Sequence, residues 1–116
     1  MPKLTIAGVT YEVEQGTRLV LAIEQSGVRI GHRCGGNARC TTCRVQFESG
    51  EPEMMTKAEK DRLEAGELLG QVRLACQITC QNDMSVTPLM TAENQPHWNG
   101  DTGPAPQESI TPTPEW

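Results

Sequence analysis

Alternation of apolar and polar residues opens the chain. Leu4 and Ile6 alternate with Thr5 and Ala7, a turn is marked at Gly8, and Val9, Tyr11 and Val13 then alternate with Thr10, Glu12 and Glu14. A period of two in both runs predicts a β-hairpin with one face turned inward. The period then lengthens. Over residues 18–26, Leu19, Ala22, Ile23 and Ser26 fall on one helical face, with Thr17 as the expected N-cap and Gly27 as the stop. Beyond a stretch at 31–43, Val45 and Phe47 alternate with Arg44, Gln46 and Glu48 and predict a further strand. Thr56-Lys57-Ala58-Glu59 has the capping-box pattern and predicts a second helix running to about Ala65. Val72 and Leu74 predict a strand leading to Cys76, and Met84 and Val86 a last one.

What the patterning leaves unassigned is the stretch at 31–43, and its chemistry changes the picture. Cys34, Cys40 and Cys43 are spaced C-x5-C-x2-C, and Cys76 follows after a gap of 32 residues. Three thiolates on one loop with a distant fourth suit an iron–sulfide centre, because a [2Fe–2S] cluster takes four Cys ligands, two on each iron. Such a loop must wrap an object larger than one ion. Gly35 and Gly36 carry no Cβ and allow the backbone a close approach, and Thr41 and Thr42 are small enough to let amides turn toward sulfur.

Other uses of the cysteines are weaker. Structural zinc sites pair short knuckles in both halves, whereas the second half here offers Cys76 with Cys80 four residues later. A disulfide framework is expected of an even cysteine count in a secreted chain. This chain has five, and MPKLTIAGVTYEVEQG lacks a signal-peptide pattern, so reduced thiols and a cytoplasmic location are expected. Rieske-type ligation needs two histidines on one iron, and His32 and His97 form no such pair. His32, two residues before Cys34, reads as a loop residue near the centre. Geometry alone does not choose between Cys76 and Cys80 as the fourth ligand, since Cys76, Ile78 and Cys80 would share one face of an extended strand.

The pattern C-x5-C-T-T-C followed by RLACQI over residues 73–78 resembles the adrenodoxin-type [2Fe–2S] ferredoxins, which include the bacterial iron–sulfur assembly ferredoxins. Plant-type ferredoxins use C-x4-C-x2-C instead. The resemblance covers roughly residues 3–90 and implies several things. Cys34, Cys40, Cys43 and Cys76 become the four cluster ligands, and Cys80 a small buried apolar residue. The fold becomes α+β: a β-grasp of ferredoxin type, a small mixed sheet with a packed helix and a long cluster-binding loop. An acidic segment that docks basic redox partners in adrenodoxin-like proteins makes Glu59, Asp61 and Glu64 docking candidates.

Charge narrows the partners. The net charge of −5 argues against nucleic acid, and no apolar run is long enough to span a membrane. Arg29, Arg33, Arg39 and Arg44 surround the loop with no acid between residues 25 and 47, while the acids gather at Glu48, Glu51, Glu53, Glu59, Asp61, Glu64 and Glu67. The basic rim predicts a reduction potential above the roughly −400 mV of plant-type centres, and it is a second candidate docking surface. Glu12 and Glu14 read as a solvated face. No nucleophile with a base, acid/base pair or nucleotide loop stands out, so no small-molecule substrate and no enzyme activity are expected. The expected role is a one-electron carrier between a reductase and an acceptor enzyme, with a redox-sensing module as the alternative. From about residue 91 five of the eight prolines gather. Residues 91–116 read as a disordered or loosely draped tail, with Trp98 and Trp116 as the residues that would dock if any did.

Overall fold

The computed structural model describes residues 2–6, 8–32, 42–52, 54–91, 94–95 and 110. The hairpin forms as the alternation predicts, from β1 (Lys3–Ile6) and β2 (Val9–Glu12) in antiparallel register. Leu4 and Ile6 are buried, but Val9 is 53% exposed. β2 is the edge of the sheet and pairs with β1 alone, so an apolar side chain there need not be covered. Val13, just past the end of β2, turns inward instead.

α1 (Leu19–Gln25) buries Leu19, Val20, Ala22 and Ile23. Its N-terminus corrects the sequence expectation. The N-cap is Arg18 rather than Thr17, and no side chain closes the turn. The amide of Leu19 donates instead to the Ile78 carbonyl at 2.8 Å, and the amide of Cys80 to the Thr17 carbonyl at 2.7 Å. Backbone returning from a distant part of the chain satisfies a first-turn donor, so no hydroxyl is required. The C-terminus ends as expected, with Ser26 as C-cap and Gly27 at φ 98°, a left-handed conformation that glycine adopts without steric cost.

β3 (Arg44–Ser49), α2 (Lys57–Ala65), β4 (Arg73–Leu74) and β5 (Met84–Pro88) complete the elements. The sheet order is β2-β1-β5-β3-β4, with β5 parallel to β1 and antiparallel to β3. The last strand in sequence therefore sits in the middle, giving the small mixed sheet of a β-grasp. Leu4, Ile6, Val45, Met84 and Val86 of the sheet join Leu19 and Ile23 of α1 in a single core, to which α2 contributes Leu63. Where β3 slips register between Phe47 and Ser49, Gly50 passes so close to β5 that a Cβ would come 2.2 Å from the Asp83 carbonyl oxygen.

The strand leading to Cys76 is shorter than the Val72–Leu74 pattern suggests. β4 has two residues, and a 3-10 turn over Ala75–Gln77 follows at once. Cys76 is therefore presented by a tight turn and not by an extended strand. Of the tail, Thr91 bridges to Ile30, and Ile110 is buried at 9% exposure. Trp98, Trp116 and most of residues 91–116 lie outside the described residues.

Candidate metal centre

Cys43 is the residue before β3, and Cys76 lies in the turn after β4. The two strands pair Arg44 with Leu74, and the Ala75 amide donates to the Cys43 carbonyl at 3.1 Å. One extra rung of the ladder thus sets the backbone of Cys43 opposite Ala75, the residue before Cys76. Both side chains are buried, at 1% and 0% exposure, and neither forms a disulfide. Cys34 and Cys40 lie outside the described residues, as do Arg33 and Arg39. Two of the four cysteines named from the sequence thereby lie on neighbouring segments at the end of the β3–β4 ladder.

Three side chains that sequence reasoning passed over hold this corner. Arg18 is fully buried, and its Nε and Nη2 donate to the Cys76 carbonyl at 3.2 and 2.6 Å. The N-terminus of α1 is thereby tied to the turn that presents the thiol, and α1 packs directly on that turn. Gln77 is 1% exposed; its Nε2 lies 3.7 Å from Cys76 Sγ, and its Oε1 accepts from Thr56 Oγ1 at 2.8 Å. Arg73 is buried against Glu59. Its Nε and Nη2 donate to the two carboxylate oxygens at 2.8 and 3.1 Å, and it also reaches the Pro52 and Met54 carbonyls at 2.7 and 3.0 Å. Burial acts to lower the Arg73 pKa, but hydrogen bonding and charge interaction with Glu59, then Glu51, outweigh it and the net direction is upward.

Glu59 corrects a second expectation. It is 0% exposed and is not a docking residue. It also makes only half of the capping box. Thr56 Oγ1 accepts from the Glu59 amide at 3.1 Å, while the Glu59 carboxylate turns to Arg73 and to the Leu74 amide, which donates at 2.8 Å. The available sequence signal was helical spacing, since Glu59 stands four residues before the fully buried Leu63 and shares its face. Asp61 and Glu64 are exposed, as a docking face requires.

His32 is 3% exposed, and its Nε2 meets the Glu24 carboxylate of α1. That places it as an anchor at the entrance to the loop. Cys80 behaves as a buried apolar residue. It is 1% exposed, its backbone is bonded to Gly16 and Thr17, and burial pushes its thiol from near 9.0 up to about 11.

The donor set fits a thiolate-bound cluster: two buried cysteines on adjacent strand ends, with an N–H donor aimed at the sulfur of Cys76. Residues 4–81 match the 2Fe-2S iron-sulfur cluster binding domain. The chain belongs to that family. It binds a [2Fe–2S] cluster in a domain of ferredoxin type. It is similar to 2Fe-2S ferredoxin-5 of Aquifex aeolicus, 32% identical over an alignment of 82 residues that covers 66% of this chain and 85% of the relative. It is also 32% identical over 71 residues to one component of the Na(+)-translocating NADH-quinone reductase of Shewanella denitrificans, covering 61% of this chain and only 17% of that component. Among solved structures, an ISC-like [2Fe–2S] ferredoxin (FdxB) from Pseudomonas putida superposes with a TM-score of 0.63 at 27% identity, over 75% of this chain and 91% of that one. The chain spans about a fifth of the length of the reductase components it matches. No helix among the described residues is long and apolar enough to cross a membrane.

Proposed function

We propose that Cys34, Cys40, Cys43 and Cys76 hold the cluster, and that the chain passes single electrons from a reductase to an acceptor protein in the cytoplasm. One observation carries the ligand assignment: the β3–β4 ladder ends with Cys43 bonded to Ala75, the residue before Cys76, and both cysteines are buried and outside any disulfide. When bound, the cluster supplies one reversible one-electron step. This chain's own residues do the rest. Arg18 fixes the Cys76 carbonyl, the Gln77 amide faces the Cys76 sulfur, and the α1 and sheet core excludes water from behind the ligands. Hydrogen bonds and positive charge near the sulfurs favour the reduced form, so the potential lies above about −400 mV. Residues 1–90 form the electron-carrying domain and 91–116 a tail appended to it.

A reductase partner is supported by the likeness to a component of a quinone reductase. Exposed Asp61 and Glu64 on α2, and exposed Arg29 beside the cysteine loop, are the two docking faces of opposite sign. Reversing Asp61 slows transfer if the acidic face docks, and reversing Arg29 slows it if the basic rim does; in both cases added salt weakens the contact.

The decisive experiment is EPR of anaerobically purified protein before and after dithionite, with iron and zinc assayed on the same sample. Silence when oxidised, a rhombic S = 1/2 signal when reduced and about two irons per chain are expected of the wild type. Replacing any one of the four cysteines by alanine removes the signal, whereas Cys80→Ala keeps it. A silent protein holding one zinc and no iron would overturn the reading.

A further inference from the structure

Thr56, Gln77 and Cys76 form a buried relay. Thr56 Oγ1 has one proton, which goes to Gln77 Oε1 at 2.8 Å, and the same oxygen accepts from the Glu59 amide at 3.1 Å. Both roles of the hydroxyl are therefore used, and they fix the orientation of the Gln77 carboxamide. With its oxygen on Thr56, its Nε2 faces Cys76 Sγ at 3.7 Å. Thr56 and Gln77 are 0% and 1% exposed, so water does not compete for either group. The relay is held rigid from the other side. Thr56 is the N-cap of α2, and Glu59 in the first turn of α2 is bonded to Arg73 and to the Leu74 amide, two residues before Cys76.

We propose that Gln77 tunes the reduction potential by donating a hydrogen bond to the Cys76 sulfur, and that Thr56 is the positioning residue that aims it. The proposal rests on Cys76 being a cluster ligand. Reduction adds one negative charge, part of which falls on the thiolate sulfurs, and an N–H donor there stabilises the reduced form more than the oxidised one. Losing the donor therefore lowers the potential. Thr56 acts only through Gln77, so its effect on the potential must vanish when Gln77 can no longer donate.

The test uses the full-length protein with its cluster, in the variants Gln77→Leu, Thr56→Val, Thr56→Ser and the Gln77→Leu/Thr56→Val double, with Cys76→Ala as control. Midpoint potentials come from a redox titration followed by EPR, with iron content alongside. Gln77→Leu is expected to shift the one-electron equilibrium about fivefold toward the oxidised form, ~40 mV at 59 mV per tenfold. Thr56→Val is expected to give about half that shift in mV, Thr56→Ser to restore the wild-type potential, and the double variant to match Gln77→Leu alone. A capping role alone would leave the Thr56→Val potential unchanged. An effect of Thr56→Val that persists in the double variant refutes the relay. So does a Gln77→Leu protein with full iron whose equilibrium moves by less than about twofold, ~18 mV on the same scale. If Gln77→Leu fails to fold, the Thr56→Val and Thr56→Ser pair still decides, because only the relay predicts a potential shift that serine rescues. If Cys76→Ala keeps wild-type iron and spectrum, the ligand assignment itself is wrong. That outcome is separate from a silent Gln77→Leu in a protein whose cluster depends on Cys76.

Discussion

The two faces of α2 carry the same kind of charge and do different things with it. On the inner face Glu59 is fully buried, gripped by Arg73 at 2.8 and 3.1 Å and by the Leu74 amide. On the outer face Lys60 and Glu64 form an i,i+4 pair at 4.0 Å with side chains 61% and 51% exposed. The inner pair fastens the helix to the strand that presents Cys76, and with Thr56 it holds Gln77 against the Cys76 sulfur. The outer pair stands in water, where salt screens it and side-chain entropy opposes it. Formula and spacing do not separate the two; burial does.

The contrast is sharpest at Glu59. Glu59→Leu leaves the Arg73 charge buried with the exposed Glu51 as its remaining carboxylate, 3.4 Å away. A buried charge deprived of its partner costs about 3–5 kcal/mol, and urea unfolding of the cluster-loaded protein should show a loss of that order. A loss under about 1 kcal/mol, the range of exposed pairs, would erase the distinction.

The next effect concerns Cys80, a buried titratable group with no charged partner among the described residues to offset its desolvation. Its thiol is raised by burial to about 11 from near 9.0. The folded form binds the proton more tightly than the unfolded one, so this contribution is whole below pH 9, shrinks as the unfolded chain ionises, and is fully lost by about pH 11. Wild type should therefore lose more stability than Cys80→Ala across that window, on the order of 2 kcal/mol at its upper end. Parallel pH profiles of the two proteins would contradict the burial argument.

Thr56→Val removes the hydroxyl that caps the inner face of α2 and should destabilise by about 1 kcal/mol, as N-cap losses do. Thr56→Ser, measured in the same denaturant series, should recover most of it. Smallest of all is the outer pair. A double-mutant cycle on Lys60 and Glu64 should give about 0.3–0.5 kcal/mol at low ionic strength and nothing measurable at 1 M salt, where the Debye length falls to about 3 Å. A coupling as large as that of Glu59 with Arg73 would break the comparison from its other end.

Much of this was legible in the chain. The cysteine spacing named the cofactor, because four thiolates with one long loop suit a two-iron cluster and few other objects. Local periods named the elements, and the Thr56 cap lies where the pattern put it, because these signals depend on neighbours within one turn or one strand. Cys80 was readable as a buried thiol only through the resemblance, which places the fourth ligand at Cys76 and leaves Cys80 the ordinary fate of a free cysteine. Tertiary structure decided the rest. β5 inserts between β1 and β3, a parallel pairing across 80 residues that no local period encodes. Arg18 ties the start of α1 to a carbonyl 58 residues away, and Arg73 draws Glu59 inward across 14 residues. A charged residue reads as solvent-exposed until the fold supplies a partner strong enough to offset its desolvation, and that partner lies on another element. The sequence by itself thus determined which group is bound and which elements surround it. Only the packing of α1 and α2 onto the β4 turn decided which side chains grip the Cys76 carbonyl and face its sulfur, because those contacts exist only once distant segments meet.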